Sequence, residues 1–297
     1  MTAADLAHTE FAPAKVNLYL HIGGRRADGY HLLNSLVVFP AVGDRVSTAP
    51  GSVAERSGQG LSLEIDGPFG VYLSAEPDNL VLRAARALAA AHRLTPNAAL
   101  RLKKNLPIAS GIGGGSSDAA AALHLLSRLW DVTIPDALAL TLGADVPVCL
   151  TAPRPHLMAG IGERLTAAPS MPECWMVLAN PNVAVATGAV FAALDQRDKP
   201  PGPPLPAAGL PDFPALIDWL AHQRNDLQSA AISICPAIAE VLAALGDASI
   251  ARMSGSGASC FALYANEAGA EAQSKRLRRT HPDWWVAVAP VAATPAR

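Results

Sequence analysis

The chain has 297 residues, of which 51% are hydrophobic and 16% charged, and its formal net charge is -2. That length suits two domains of ordinary size, and the composition is that of a globular protein, which excludes a disordered one. The near-neutral balance argues against nucleic-acid and membrane-surface binders, which need a dominant basic field, so neither partner is expected.

The opening residues, MTAADLAHTEFAPAKVNLYL, lack the charged start and apolar core of a secretory signal. No run of about 18 uncharged apolar residues follows anywhere, so a cytoplasmic protein without a transmembrane helix is expected. Cys149, Cys174, Cys235 and Cys260 lie far apart, without the C-x-x-C spacing of zinc or dithiol chemistry, and read as reduced, buried thiols.

Taken in chain order, Phe11 to Ile22 reads as a strand that breaks at Gly23-Gly24. Leu32 to Phe39, Asp44 to Thr48 and Leu61 to Ile65 read as further strands. Asn79 to His92, rich in Ala, Leu and Arg and preceded by Asp78 as a possible cap, reads as a helix. Leu100 to Lys104 is a short strand, a glycine loop follows, and Asp118 to Trp130 has apolar residues at helical spacing. Pro153 and Pro155 mark a boundary, dividing an N-terminal domain (1–157) from a C-terminal one (158–297). Beyond it, Cys174 to Leu178, Ala251 to Met253 and Cys260 to Tyr264 read as strands. Gly188 to Leu194, Ala237 to Leu245 and Ala268 to Arg279 read as helices, which makes the class α+β. Lys199 to Pro214 (KPPGPPLPAAGLPDFP) is too rich in proline for regular structure and reads as a surface excursion in preference to a PxxP ligand.

Gly111-Ile112-Gly113-Gly114-Gly115-Ser116-Ser117 lets backbone amides approach an anion closely, because glycine has no side chain to block contact and tolerates positive φ. Ser116 and Ser117 offer hydroxyls and possible caps, and the N-terminus of the following helix adds partial positive charge. A Walker loop is excluded because no Gly-Lys-Ser/Thr follows the glycines. In the dinucleotide fingerprint the third small residue would fall on Ser116, after too many strands before any helix, so that template fails as well. A tight turn without ligand is the plain alternative.

Three separated segments, Pro13-Ala14-Lys15-Val16-Asn17, Pro107 to Ser117 and Met253-Ser254-Gly255-Ser256-Gly257-Ala258, resemble in that order the three motifs of the GHMP kinases. Gly24-Arg25-Arg26-Ala27-Asp28-Gly29-Tyr30-His31, Gly143-Ala144-Asp145-Val146-Pro147 and Asn225-Asp226-Leu227 are similar to the branch of that family in the non-mevalonate isoprenoid pathway. The resemblance implies a kinase with ATP as cofactor, a cytidine diphosphate sugar alcohol as small-molecule substrate, and phosphorylation of the 2-hydroxyl of its methylerythritol moiety. It implies a two-domain GHMP kinase fold, an N-terminal domain like ribosomal protein S5 domain 2 and a C-terminal ferredoxin-like domain. Ala109-Ser110 stands where the family often has glycines, and Asp118 where asparagine is common.

Phosphoryl transfer needs a group to orient or deprotonate the acceptor hydroxyl and a cation to offset developing charge. The resemblance assigns these roles to Asp145 and Lys15. From the residues alone, Asp145 could serve a turn between Gly143 and Pro147, and Lys15 could be a solvated strand-edge lysine. The resemblance places ATP on Pro107, Ile108, Ala109, Ser110, Gly111, Ile112, Gly113, Gly114, Gly115, Ser116 and Ser117, with Asn79, Leu80 and Lys104 at the adenine; Lys104 beside Lys103 and Arg101 could equally be a basic strand edge. It places substrate on Asn17, on Tyr30, His31, Thr187 and Phe191 for the cytidine end, and on Gly255, Ser256 and Gly257 for the diphosphate. Phe191 also fits an amphipathic helix, while Lys275, Arg276, Arg278 and Arg279 read as an exposed helix face with no role. Mg2+ is expected from the phosphate chemistry, with no carboxylate ligand set evident and no metal-binding residue assigned. Another GHMP kinase, acting on homoserine or a mevalonate derivative, and a non-enzymatic sensor on the same fold are the competing readings.

Overall fold

The structure, a computed structural model, describes residues 9–25, 31–48, 60–73, 78–194, 200–246 and 248–291. In chain order the elements are β1 (Thr9–Pro13), β2 (Val16–Arg25), β3 (His31–Val38), β4 (Gly43–Thr48), β5 (Leu61–Asp66), α1 (Leu80–Ala91), β6 (Ala98–Lys103), α2 (Gly114–Leu129), α3 (Leu138–Leu142) and α4 (Val146–Cys149). They continue as β7 (His156–Gly160), β8 (Arg164–Ala167), β9 (Cys174–Asn180), α5 (Thr187–Ala192), α6 (Phe213–Ala221), α7 (Gln228–Ile234), α8 (Ala237–Ala244), β10 (Ile250–Met253), β11 (Cys260–Tyr264), α9 (Glu267–Thr280) and β12 (Trp285–Val291).

The chain divides into two compact units whose sequence is interleaved. One holds residues 1–14, 43–108 and 113–150, and the other 15–42, 109–112 and 151–297. The prolines at 153 and 155 therefore sit just past the last of several crossings.

In the first unit a four-stranded sheet runs β1-β4-β6-β5. Its β1–β4 and β4–β6 pairs are antiparallel, whereas β5 and β6, joined through α1, are parallel. Helices α1 and α2 pack through small side chains, Ala84, Ala85 and Ala89 on one and Ala119, Ala121 and Ala122 on the other, together with Leu88, Leu123 and Leu126. Alanine lets two helix axes come close, and leucine fills the remaining volume. The second unit has two antiparallel sheets, β2-β3-β7-β8 and β10-β11-β9-β12. Its core joins Val177 and Ala179 of β9 to Ile238 and Val241 of α8 and to Ala270 and Leu277 of α9.

Several sequence expectations change. Phe11 to Ile22 is two strands in different units, because the backbone N–H of Lys15 turns away to the carbonyl of Ile112 at 2.9 Å. Gly23-Gly24 lies inside β2, where the pairing register shifts between Ile22 and Arg25. Asn79, not Asp78, caps α1, its Oδ1 accepting from the Val81 N–H at 3.0 Å. Helix α2 begins at Gly114 with Gly113 as N-cap, so Ser116 and Ser117 lie in its first turn and do not cap it. Residues 200–212 are irregular, but Phe213 and Pro214 open α6, capped by Asp212. Arg276 and Arg278 of α9 are more than a solvated face, since they donate to the carbonyls of Ala244 and Val286. All four cysteines are free and buried, as expected.

The proline segment is held by hydrogen bonds to its carbonyls. Gln223 and Trp219 donate to Pro203, and Arg224 donates to Pro200. His21 lies beneath it, with the backbone N–H groups of Gly202 and Arg224 directed at its two ring nitrogens. Burial, reinforced by the Arg224 guanidinium, holds His21 down at about 4. Between pH 6.5 and about 4 the unfolded chain takes up a proton there that the folded chain refuses, so His21 drains stability as pH falls through that window. Denaturation midpoints at pH 7 and pH 5 are expected to differ less in His21→Gln than in the unaltered protein.

Candidate active site

Along the sequence, residues 109–112 of the glycine loop fall in the second unit and 113–117 in the first. In residues 109–112 every backbone carbonyl accepts a bond from another part of the second unit: Ala109 from the Val185 N–H at 3.3 Å, Ser110 from the Ser259 N–H at 2.9 Å, Gly111 from the Ser254 hydroxyl at 3.1 Å and Ile112 from the Lys15 N–H. Ser254 Oγ also accepts from the Asn17 N–H at 3.2 Å, so all three glycine- and lysine-bearing motifs meet around this lead-in. Gly111 has φ +76°, and a Cβ there would lie 2.6 Å from the carbonyl oxygens of Ser254 and Gly257. Gly111→Ala is therefore expected to cost about 3 kcal/mol from left-handed strain and overpacking. At Gly188, within α5, a Cβ would meet open space, and Gly188→Ala serves as the control in the same denaturation experiment, expected to cost nothing and to add up to about 1 kcal/mol of helix propensity. Ala109 also takes a left-handed backbone, with φ +49°, a conformation that glycine adopts with less strain.

From Gly113 the loop belongs to the first unit. Gly113, with φ +65°, turns the chain into the 16-residue helix α2, and no side chain caps that end. The amides of Gly114 and Gly115 thus open a helix whose dipole favours an anion. Leu80 lies beside Gly115, 3.7 Å from the position of an added Cβ, and Lys104 Nζ stands 3.0 Å from the equivalent position on Gly114. Leu80, Lys104 and the glycines are therefore one cluster, with Asn79 at its edge as the α1 cap.

Lys104 is not a basic strand edge. It is buried, and its ammonium donates at 2.6 Å to both Asp44 and Asp118. Burial disfavours the ammonium, but Asp118 and Asp44 outweigh it and leave Lys104 above its usual range. Asp44 further accepts the backbone N–H groups of Asn105 and Leu106 through Oδ1. Sequence reading had no signal for this arrangement, because Asp44 is 60 residues from Lys104. Ser117 directs its hydroxyl at Cys149 Sγ, 3.3 Å away. Asp145 is half-buried at the N-cap position of α4, yet its side chain makes no capping hydrogen bond, so a capping role does not account for it.

In the second unit Lys15 is only 4% exposed, which removes the solvated-edge reading. Asn17 is fully buried, donates from Nδ2 to Ser35 at 2.7 Å, and keeps Oδ1 buried without a hydrogen-bond partner among the described residues. Thr187 and Phe191 sit one turn apart on α5. Thr187 bonds Ser256 at 2.9 Å, and the Phe191 ring stacks on His31 with centroids 5.1 Å apart. The loop Gly255-Ser256-Gly257 is steadied by Asn225, whose Nδ2 donates at 2.8 Å to the carbonyls of Met253 and Gly255. Tyr30 lies outside the described residues. Among the described residues no group of three His, Cys, Asp or Glu could hold a metal ion, and no helix is long and apolar enough to cross a membrane.

The model of the GHMP kinases N-terminal domain matches residues 79–152, and that of the GHMP kinases C-terminal domain matches residues 205–283. The 4-diphosphocytidyl-2-C-methyl-D-erythritol kinase of Cereibacter sphaeroides (strain ATCC 17029) is 54% identical over 286 residues, covering 94% of this chain and 97% of its own. That of Paracoccus denitrificans is 52% identical over 290 residues, covering 97% of this chain and 98% of its own. A crystal structure of 4-(cytidine 5'-diphospho)-2C-methyl-D-erythritol kinase superposes with a TM-score of 0.76 at 32% identity, covering 96% of this chain and 99% of that one. The chain belongs to the 4-diphosphocytidyl-2-C-methyl-D-erythritol kinase family of the GHMP kinases, and its two-domain α+β fold is theirs.

Proposed function

We propose that the protein transfers the γ-phosphoryl group of ATP to the 2-hydroxyl of 4-diphosphocytidyl-2-C-methyl-D-erythritol, giving the 2-phosphate and ADP in the non-mevalonate isoprenoid route. The observation that carries this reading is the uncapped start of α2 at Gly113-Gly114-Gly115, in a chain about half identical to kinases so named along nearly their whole length. Amides at a helix N-terminus suit a phosphate, and three glycines keep side chains out of its way.

In this reading residues 107–117 cradle the triphosphate, and Asn79, Leu80 and Lys104 form the adenine end. The hydroxyl oxygen bonds to γ-phosphorus as the bond to the bridging oxygen breaks; the hydroxyl proton goes to Asp145, and Lys15 offsets the charge that develops on the phosphoryl oxygens. Asn17 orients the acceptor through its unpartnered Oδ1. Tyr30, His31, Thr187 and Phe191 recognise the cytidine end, and Gly255, Ser256 and Gly257 the diphosphate. Mg2+, held by ATP phosphates and water, would shield the triphosphate. With the chain boundary at 157, domain 1–157 supplies ATP binding and 158–297 most of the substrate contacts, in the cytoplasm. The test is phosphorus NMR of the product: a new phosphomonoester coupled to the carbon-2 position supports the assignment, and a phosphate elsewhere on the acceptor contradicts it.

A further inference from the structure

Asp44, Lys104 and Asp118 are three ionisable groups buried together in the first unit, and their formal charges do not cancel. One ammonium lies 2.6 Å from an oxygen of each carboxyl. The two carboxyls differ in their remaining partners. Asp44 Oδ1 accepts two backbone N–H groups, at 2.6 Å from Asn105 and 2.8 Å from Leu106, so both of its oxygens have donors. Asp118 Oδ1 is buried with no hydrogen-bond partner among the described residues. A carboxylate oxygen in that position is costly, whereas the carbonyl oxygen of a protonated carboxyl is far less so.

We propose that Asp118 holds a proton beside the Lys104–Asp44 ion pair, so that the triad is neutral beneath the glycine loop and becomes net negative when that proton leaves, weakening the hold on phosphate. Asp118 is a positioning residue in this account: Lys104 lies against Gly114, and the carboxyls fix Lys104. The inference rests on the reading that residues 111–117 hold the phosphates of ATP.

The surroundings support it. Burial raises Asp118 first, Lys104 opposes, and Asp44 raises it again, leaving it at about 7. Lys104 and Asp44 are the charges whose fields reach it. Of the other charges on elements packed against α2, Glu10 on β1 pairs with Arg128 near the far end of that helix, and Arg45 on β4 lies over the Phe11 ring. Arg83 and Arg86 are on α1, Asp145 precedes α4, and α3 and α4 carry none.

Two measurements test the proposal. The first is an infrared titration of the unaltered protein, without nucleotide, with and without carbon-13 aspartate. A protonated-carboxyl band that shifts with the label, fades with a midpoint near pH 7 and is missing in Asp118→Asn is the expected result. Its absence at every pH from 5 to 9 overturns the proton on Asp118 and leaves the kinase reading untouched. Because the label identifies aspartate, this arm holds even if the variant fails to fold. In the second arm, ATP dissociation constants are compared between pH 6 and pH 9, where Asp118→Asn controls for the titration of ATP itself. Weakening by roughly tenfold more in the unaltered protein than in Asp118→Asn is expected from one unit charge added close to the phosphates. Equal pH dependence in both overturns the link to phosphate, and no ATP binding in either would instead overturn the reading of the loop.

Discussion

Asp145→Ala is expected to lower kcat by about a thousandfold while changing ATP affinity less than about threefold, as befits a group that acts at the acceptor hydroxyl in the transition state. Its position fits that task. Asp145 sits at the start of α4, and its carboxylate is not occupied in capping the helix. The first turn of α4 contains Pro147, which leaves one fewer backbone donor to demand a cap. Asp145→Asn keeps the shape and removes the basicity, so a kcat close to that of the alanine variant would mean that proton acceptance matters, whereas substantial recovery would mean that orientation suffices. An equal loss of ATP binding and of kcat in Asp145→Ala contradicts the role assigned here.

Lys104→Met should cost about 3 to 5 kcal/mol, because it leaves Asp44 and Asp118 buried without their counter-charge. Against a total stability of about 5 to 15 kcal/mol, this is enough to leave much of the protein unfolded on modest warming. Adding Asp118→Asn is expected to restore part of the loss, since it removes one of the two stranded carboxyls. The penalty should be larger at pH 8 than at pH 5, because Asp118, raised to about 7 by burial, is charged at the higher pH and neutral at the lower. Urea denaturation of the single and double variants at both pH values measures this, and a loss below about 1 kcal/mol at pH 8 would show that the triad carries little of the stability.

Much of this molecule is local and therefore legible. Cys260 to Tyr264, a short continuous apolar run, and Ala237 to Leu245, with helical spacing, are elements that the local sequence reports. What sequence did not report is set by partners far along the chain. The break at Lys15 exists because Ile112 offers a carbonyl there. The short β8, Arg164–Ala167, and the edge strand β12, which carries Pro290, have weak patterns of their own and are held by the pairing of β7 with β8 and of β9 with β12. Helix α6 was hidden by the prolines before it, although Asp212 and Pro214 are an ordinary cap and first turn.

The candidate site divides along the same line. Its glycines are contiguous, and a triplet of them between strand and helix signals close approach of an anion without any knowledge of the fold. Ser254 and Asn225, by contrast, act by bracing glycine backbone that lies elsewhere in the chain, as Ser254 does for Gly111. Lys104 looks like one of several surface cations in sequence and is buried between two aspartates in space. A spacing rule cannot find such a group, because its partners come from β4 and α2.

The most direct test of the central claim is ADP formation by the purified protein with ATP, magnesium and one acceptor at a time. Turnover that requires 4-diphosphocytidyl-2-C-methyl-D-erythritol, with no more than background for homoserine or mevalonate, is the predicted result. Robust turnover of either of those alcohols, or ATP binding with no transfer to any acceptor, would contradict it.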